Sequence, residues 1–131
     1  MLNGKKVLLI ITGGIAAYKS LELVRKLKEK GAEIIPVMTK AAENFVTPMS
    51  VSALAQEKVY NKLFDLTDEA EMGHIELSRS SDLIIVVPAS ADFIAKTATG
   101  QANDLASTLI LATDTKAVSY THLTLPTKRI V

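Results

Sequence analysis

The chain has 131 residues, 48% hydrophobic and 22% charged, with a formal net charge of +1. That is enough for one domain with a buried core, and the composition is globular, not disordered. With this near-neutral balance nothing argues for nucleic acid or an anionic membrane as a partner, and the absence of cysteine excludes disulfides and thiolate metal sites.

Residues 7–11 form a continuous apolar run rich in β-branched side chains, the pattern of a parallel strand buried on both faces. Lys5 and Lys6 precede the run, and Ile15-Ala16-Ala17 loosely resembles a leader cleavage site. However, Gly13 and Gly14 interrupt the run and an amphipathic pattern follows directly, so the segment reads as strand, tight turn and helix. From Ile15 onward, Leu21, Val24 and Leu27 lie opposite Lys19, Arg25, Lys26 and Lys28. Lys26, Lys28 and Lys30 suit the negative end of the helix dipole, and Gly31 supplies the stop. Residues 33–38 read as a second strand, completing a βαβ unit whose crossover should be right-handed.

Residues 40–45 predict one or two helical turns. Thr47-Pro48 then reads as N-cap and first helical residue of a helix to about Gln56. Residues 59–64 read as a short strand or extended segment, the acidic stretch 65–72 as loop, and residues 74–80 as helix, with His74 near its start. Residues 83–87 are the next buried strand. Residues 92–97 predict a helix ended by Gly100, and Asn103 or Asp104 caps another running to about Thr113. No apolar segment approaches the roughly 20 residues needed to span a bilayer. Residues 118–131 depart from this grammar: where another buried strand is due, they carry alternating threonines and Pro126. The stretch resembles the translation of a transposon-end sequencing adapter. The expected division is therefore a domain over 1–117, incomplete at its C-terminal side, and a non-native tail over 118–131.

Two loops at strand ends are the candidate site. Thr12-Gly13-Gly14-Ile15-Ala16-Ala17-Tyr18-Lys19 lacks the third small residue of the dinucleotide fingerprint, and it lacks the lysine–hydroxyl pair of a P-loop. A strand–Gly-Gly–helix turn still offers backbone N–H groups at a helix start, which suit a phosphate or the polar edge of a flavin; a plain tight turn is the alternative. Pro88-Ala89-Ser90-Ala91-Asp92-Phe93 follows the later strand at the same expected sheet edge, where open α/β proteins bind ligands. His74 could exchange a proton near neutral pH, or be an ordinary surface histidine. One histidine outside the tail and no cysteine make a poor metal-ligand set, so no metal is expected.

These two loops occur in order with Thr39-Lys40-Ala41-Ala42-Glu43-Asn44-Phe45, Gly73-His74-Ile75-Glu76-Leu77 and Thr99-Gly100-Gln101-Ala102-Asn103-Asp104-Leu105. The set resembles the family of flavin-containing cysteine decarboxylases, most of all the flavoprotein domain of the bifunctional decarboxylase–ligases of coenzyme A synthesis. The resemblance covers about residues 4–117. It implies a doubly wound parallel α/β sheet of flavodoxin-like or Rossmann-like order, and flavin mononucleotide (FMN) as cofactor. It implies FMN contacts from Gly13, Gly14, Ile15, Thr39, Ser90, Ala91, Asp92 and Phe93. Many relatives carry serine at the position of Gly14. Thr39 could instead be a helix cap, and Asn103 and Asp104 read as caps. His74 matches the family's active-site histidine.

The implied reaction is decarboxylation of 4′-phosphopantothenoylcysteine to 4′-phosphopantetheine by a cytoplasmic homotrimer or higher homo-oligomer, with no nucleic-acid or membrane partner. A flavin prenyltransferase or a peptidyl-cysteine decarboxylase of the same family is the alternative, as is a flavin-binding module without catalysis. The family's Pro-Ala-Met-Asn-type substrate clamp and its cysteine-bearing flap do not occur in these residues. The chain by itself is therefore expected not to complete turnover.

Overall fold

A computed structural model describes residues 2–61, 76–113, 117–120 and 129–130. The first apolar run forms β1 (Lys6–Ile11), and the second strand is β2 (Glu33–Met38). They pair in parallel, Lys6 opposite Glu33 and Ile11 opposite Met38. β3 (Leu83–Val86) lies parallel on the other side of β1, Val7 opposite Leu83 and Ile10 opposite Val86. The backbone of β4 (Ala117–Tyr120) continues the sheet parallel to β3, and β5 (Arg129–Ile130) closes it antiparallel. The order β2-β1-β3-β4-β5 is the flavodoxin-like doubly wound order. The expected parallel sheet is present in four strands. It departs from expectation at β5, and in having a strand backbone at 117–120 where the sequence offers no apolar run.

Helices cover both faces because consecutive strand residues point to opposite sides. On one face, Val7, Leu9 and Ile11 of β1 pack with Ile34, Met38 and Ile85 against Ala17, Val24, Val51 and Ala55. These last come from a 3-10 turn (Ile15–Tyr18), α1 (Lys19–Glu29) and α2 (Pro48–Ala55). On the other face, Leu8 and Ile10 pack with Val37, Ile84 and Val86 against Phe93, Leu105 and Leu109. Those belong to α4 (Ala91–Ala98) and α5 (Leu105–Ala112), with the helical residues 76–79 of α3 adding Leu77. Leu8, Leu9, Ile10, Ile11 and Ile84 are completely buried, each contributing about 1.5–3 kcal/mol of apolar transfer free energy.

Local chemistry sets the element ends. Thr47 caps α2, its hydroxyl accepting from Ser50 N–H at 3.1 Å ahead of Pro48, as predicted. Gly31 follows α1 with φ of 94°, a conformation that favours glycine. The first helix does not begin at Ile15 as expected: residues 15–18 wind as a 3-10 turn and the α-helix starts at Lys19. Pro36 sits inside β2, yet costs no ladder bond. Met38 N–H, two residues along and on the same side, donates outward to Tyr60 O at 3.0 Å, so the Pro36 nitrogen faces the outer edge, where proline is tolerated. Tyr60 forms a single parallel bridge to Val37, which is the described remnant of the extended segment expected at 59–64; residues 62–75 lie outside the described residues. Among the described residues, no helix is long and apolar enough to cross a membrane.

Candidate functional site

β1 and β3 run side by side and in the same direction, so they deliver their following loops to one sheet edge. Thr12, the residue after β1, is 1% exposed and joins the two loops. Its hydroxyl donates to the Pro88 carbonyl and accepts from Ser90 N–H, the latter at 3.0 Å. Ser90 in turn caps α4, its hydroxyl accepting from Phe93 N–H at 3.1 Å.

Gly13 is small because the fold packs a distant turn against it. A Cβ there would lie 2.6 Å from the Ala41 Cβ and 3.0 Å from the Ala41 carbonyl carbon, so the turn after β1 touches the 3-10 turn (Ala41–Asn44) that follows β2. Gly14 is different. Its φ of 173° is extended backbone, and a Cβ would meet Pro88 Cγ at an ordinary 3.5 Å. Serine therefore fits at position 14 without backbone change.

Two adjoining clefts open over this junction. One, of about 430 Å³, is walled by Thr12, Gly13, Thr39, Ser90, Phe93 and Asp104, with Lys40, Asp92 and Lys96 among its polar groups. The other, of about 410 Å³, is walled by Gly13, Gly14, Ile15, Tyr18, Pro88 and Ser90. They share Gly13 and Ser90. Both fall in the size range of small-molecule sites. Their walls mix apolar groups (Ile15, Pro88, Ala89) with the hydroxyls of Thr12, Thr39 and Ser90. The first N–H groups of the two neighbouring helical segments, those of Ile15 and Ala16 and of Ala91 and Asp92, have no intrahelical acceptor.

Of the sequence-predicted cofactor residues, Gly13, Gly14, Ile15, Thr39, Ser90, Asp92 and Phe93 line one or both clefts. Ala91 lines neither: it is exposed on the first turn of α4. Phe93 is 4% exposed and belongs mainly to the core, one part of its ring walling the larger cleft. Thr39 lines the larger cleft, and its hydroxyl accepts from Ala42 N–H at 3.2 Å, the bond expected of a helix cap. Asp104 is the cap it was read as, in a reciprocal box with Ser107 ahead of α5. The expected catalytic residue His74 lies outside the described residues. Thr12, Lys40 and Lys96 were missed by sequence reasoning. Lys96 pairs with Asp92 one turn earlier at 3.4 Å, an i,i+4 spacing that the sequence does display. Thr12 is discernible only as a polar residue at the end of an apolar run.

A sequence profile described as Flavoprotein matches residues 1–122. The chain belongs to the Flavoprotein family. This Flavoprotein-family chain is 56% identical, over 113 residues, to the coenzyme A biosynthesis bifunctional protein CoaBC of Vibrio vulnificus (strain YJ016). The match covers 86% of the chain and 28% of that relative, so the chain spans less than a third of the relative's length. Among solved structures it resembles a mutant PPC decarboxylase complexed with pantothenoylaminoethenethiol, with a TM-score of 0.66 and 27% identity, over 88% of this chain and 66% of that one. It also resembles the FMN binding protein AtHal3, with a TM-score of 0.66 and 29% identity, over 88% of this chain and 65% of that one.

Proposed function

We propose that the paired clefts hold FMN and that the chain is the flavin-binding part of a decarboxylase that converts 4′-phosphopantothenoylcysteine to 4′-phosphopantetheine in coenzyme A synthesis. The observation that carries this reading is the junction at the sheet edge, where the glycine loop and the Pro-Ala-Ser loop adjoin as walls of two clefts sharing Gly13 and Ser90. The names of the relatives add the chemistry: one is a coenzyme A biosynthesis protein, one a PPC decarboxylase and one an FMN binding protein.

The residues present fit the cofactor. Backbone N–H groups at the two helical starts, one from each loop, suit its anionic phosphate and polar ring edge. Gly13 keeps the turn against Ala41, Gly14 and Ile15 supply backbone and an apolar face, and the Thr39 and Ser90 hydroxyls border the same space. Asp92, next to Ala91 on the first turn of α4, lines the larger cleft, and Phe93 backs its wall. Bound FMN would supply oxidation and re-reduction of the substrate's cysteinyl side chain. The protein's own part is to orient the substrate and exclude water, with the His74 imidazole holding or exchanging a proton at the substrate.

Ile15 and Tyr18 are 80% and 55% exposed beside the smaller cleft. They support the further reading that the full-length protein is a homotrimer or higher homo-oligomer, and the size of the clefts is in keeping with a small-molecule substrate. Residues 1–117 form the domain and 118–131 a non-native tail, a division that re-reading the source DNA past the codon for Ala117 tests.

The reading is tested by reconstitution. Purified chain incubated with FMN and desalted is expected to keep flavin absorbance bands at one flavin per chain. Protein that emerges colourless after reconstitution contradicts it.

A further inference from the structure

We propose that Thr12 is a positioning residue for the flavin site: its hydroxyl holds the Pro-Ala-Ser loop against the glycine loop and so sets the shape of both clefts before any ligand arrives. The inference rests on the reading of the clefts as an FMN site and extends it to a residue that need not touch the flavin through any special chemistry.

Three observations carry it. First, a buried hydroxyl must find partners, and Thr12, 1% exposed, finds both of them on the opposite loop, 76 and 78 positions away in sequence. It donates to the Pro88 carbonyl and accepts from Ser90 N–H. Second, the two partners bracket Ala89, so the strap fixes the backbone on both sides of one residue of the loop. Third, the residues so fixed are the ones the clefts share or adjoin. Ser90 walls both clefts, Pro88 walls the smaller one opposite Gly14, and Thr12 walls the larger. Ser90 also caps α4, so the strap places the start of that helix. A valine at position 12 has nearly the same shape but neither donates nor accepts, and it would leave a buried carbonyl and a part-buried amide without their partner.

The proposal separates the hydroxyl from the methyl group. Thr12→Ser keeps the strap and is expected to bind FMN within about threefold of the wild type, whereas Thr12→Val is expected to weaken binding about tenfold or more. Flavin fluorescence titration gives the affinity, and thermal unfolding of the same samples separates loss of the site from loss of the fold. Equal affinity in Thr12→Val and wild type would overturn the proposal. So would serine failing to rescue while folded.

Amide hydrogen exchange on the unmutated, flavin-free chain keeps the test open if the valine variant does not fold. Ser90 N–H is expected to be protected, because its acceptor is a buried hydroxyl, and free exchange at Ser90 would overturn the proposal. A wild-type chain that binds no FMN while Ser90 is protected refutes the functional reading and leaves the strap standing, so the two failures are distinguishable.

Discussion

Gly13→Val is expected to destabilise the chain by about 3 kcal/mol and to abolish flavin retention. The cause is steric. Even a single Cβ at this position would sit 2.6 Å from the Ala41 Cβ and 3.0 Å from its carbonyl carbon. The nearest atoms are backbone and a Cβ, not the tip of a flexible side chain, so relief requires the turn after β1 or the 3-10 turn after β2 to move. Both turns are anchored. Ala42 is fully buried in the core, and its N–H donates to Thr39 O at 3.1 Å; the β1 end is held by Thr12. The displacement therefore falls on Gly13 itself, the residue both clefts share. Gly14→Ser is the matched control. With extended backbone and 3.5 Å to Pro88 Cγ, it is expected to change stability by no more than about 0.5 kcal/mol. Chemical denaturation of the two variants beside wild type checks the contrast, and equal midpoints for all three would show that the turns do not abut.

His74→Asn, made in a protein of the relatives' full length, is expected to keep its yellow flavin and lose decarboxylation by about 10²-fold or more. Asparagine preserves much of the size and hydrogen-bonding capacity of imidazole but cannot titrate near neutral pH. Cofactor binding, assigned here to the loops after β1, β2 and β3, should therefore survive, while proton exchange at the substrate should not. Carbon dioxide release measured alongside the flavin spectrum reads both. Undiminished release with flavin bound removes His74 from the chemistry, and loss of flavin together with activity makes it part of the cofactor site instead.

How much of this was legible in the sequence depends on the range of the interaction. The runs 7–11 and 83–87 announced buried parallel strands because a strand covered on both faces needs no polar alternation, and β1 and β3 lie side by side as a result. Thr47-Pro48, Gly31 and Asp104 announced helix ends because caps are made with residues three or so positions away. What the sequence did not disclose is non-local. Gly13 reads as turn flexibility, and only the fold brings Ala41 against it. Thr12 reads as the polar end of an apolar run, and only the fold supplies Pro88 and Ser90 as its partners. The 3-10 winding of Ile15–Tyr18 was also hidden. An amphipathic pattern constrains which residues face the core, here Ala17 and Val24, but not how tightly the first turn is wound.

If two strand-end loops grip one flavin, both must respond to it together. Backbone amide shifts of isotopically labelled chain, followed through an FMN titration, read that response. Saturable shifts are expected at Gly13, Gly14 and Ile15 and, with the same midpoint, at Ser90, Ala91 and Asp92. Shifts confined to one loop, or centred on the opposite edge of the sheet near Lys6 and Glu33, would contradict a grip by both loops.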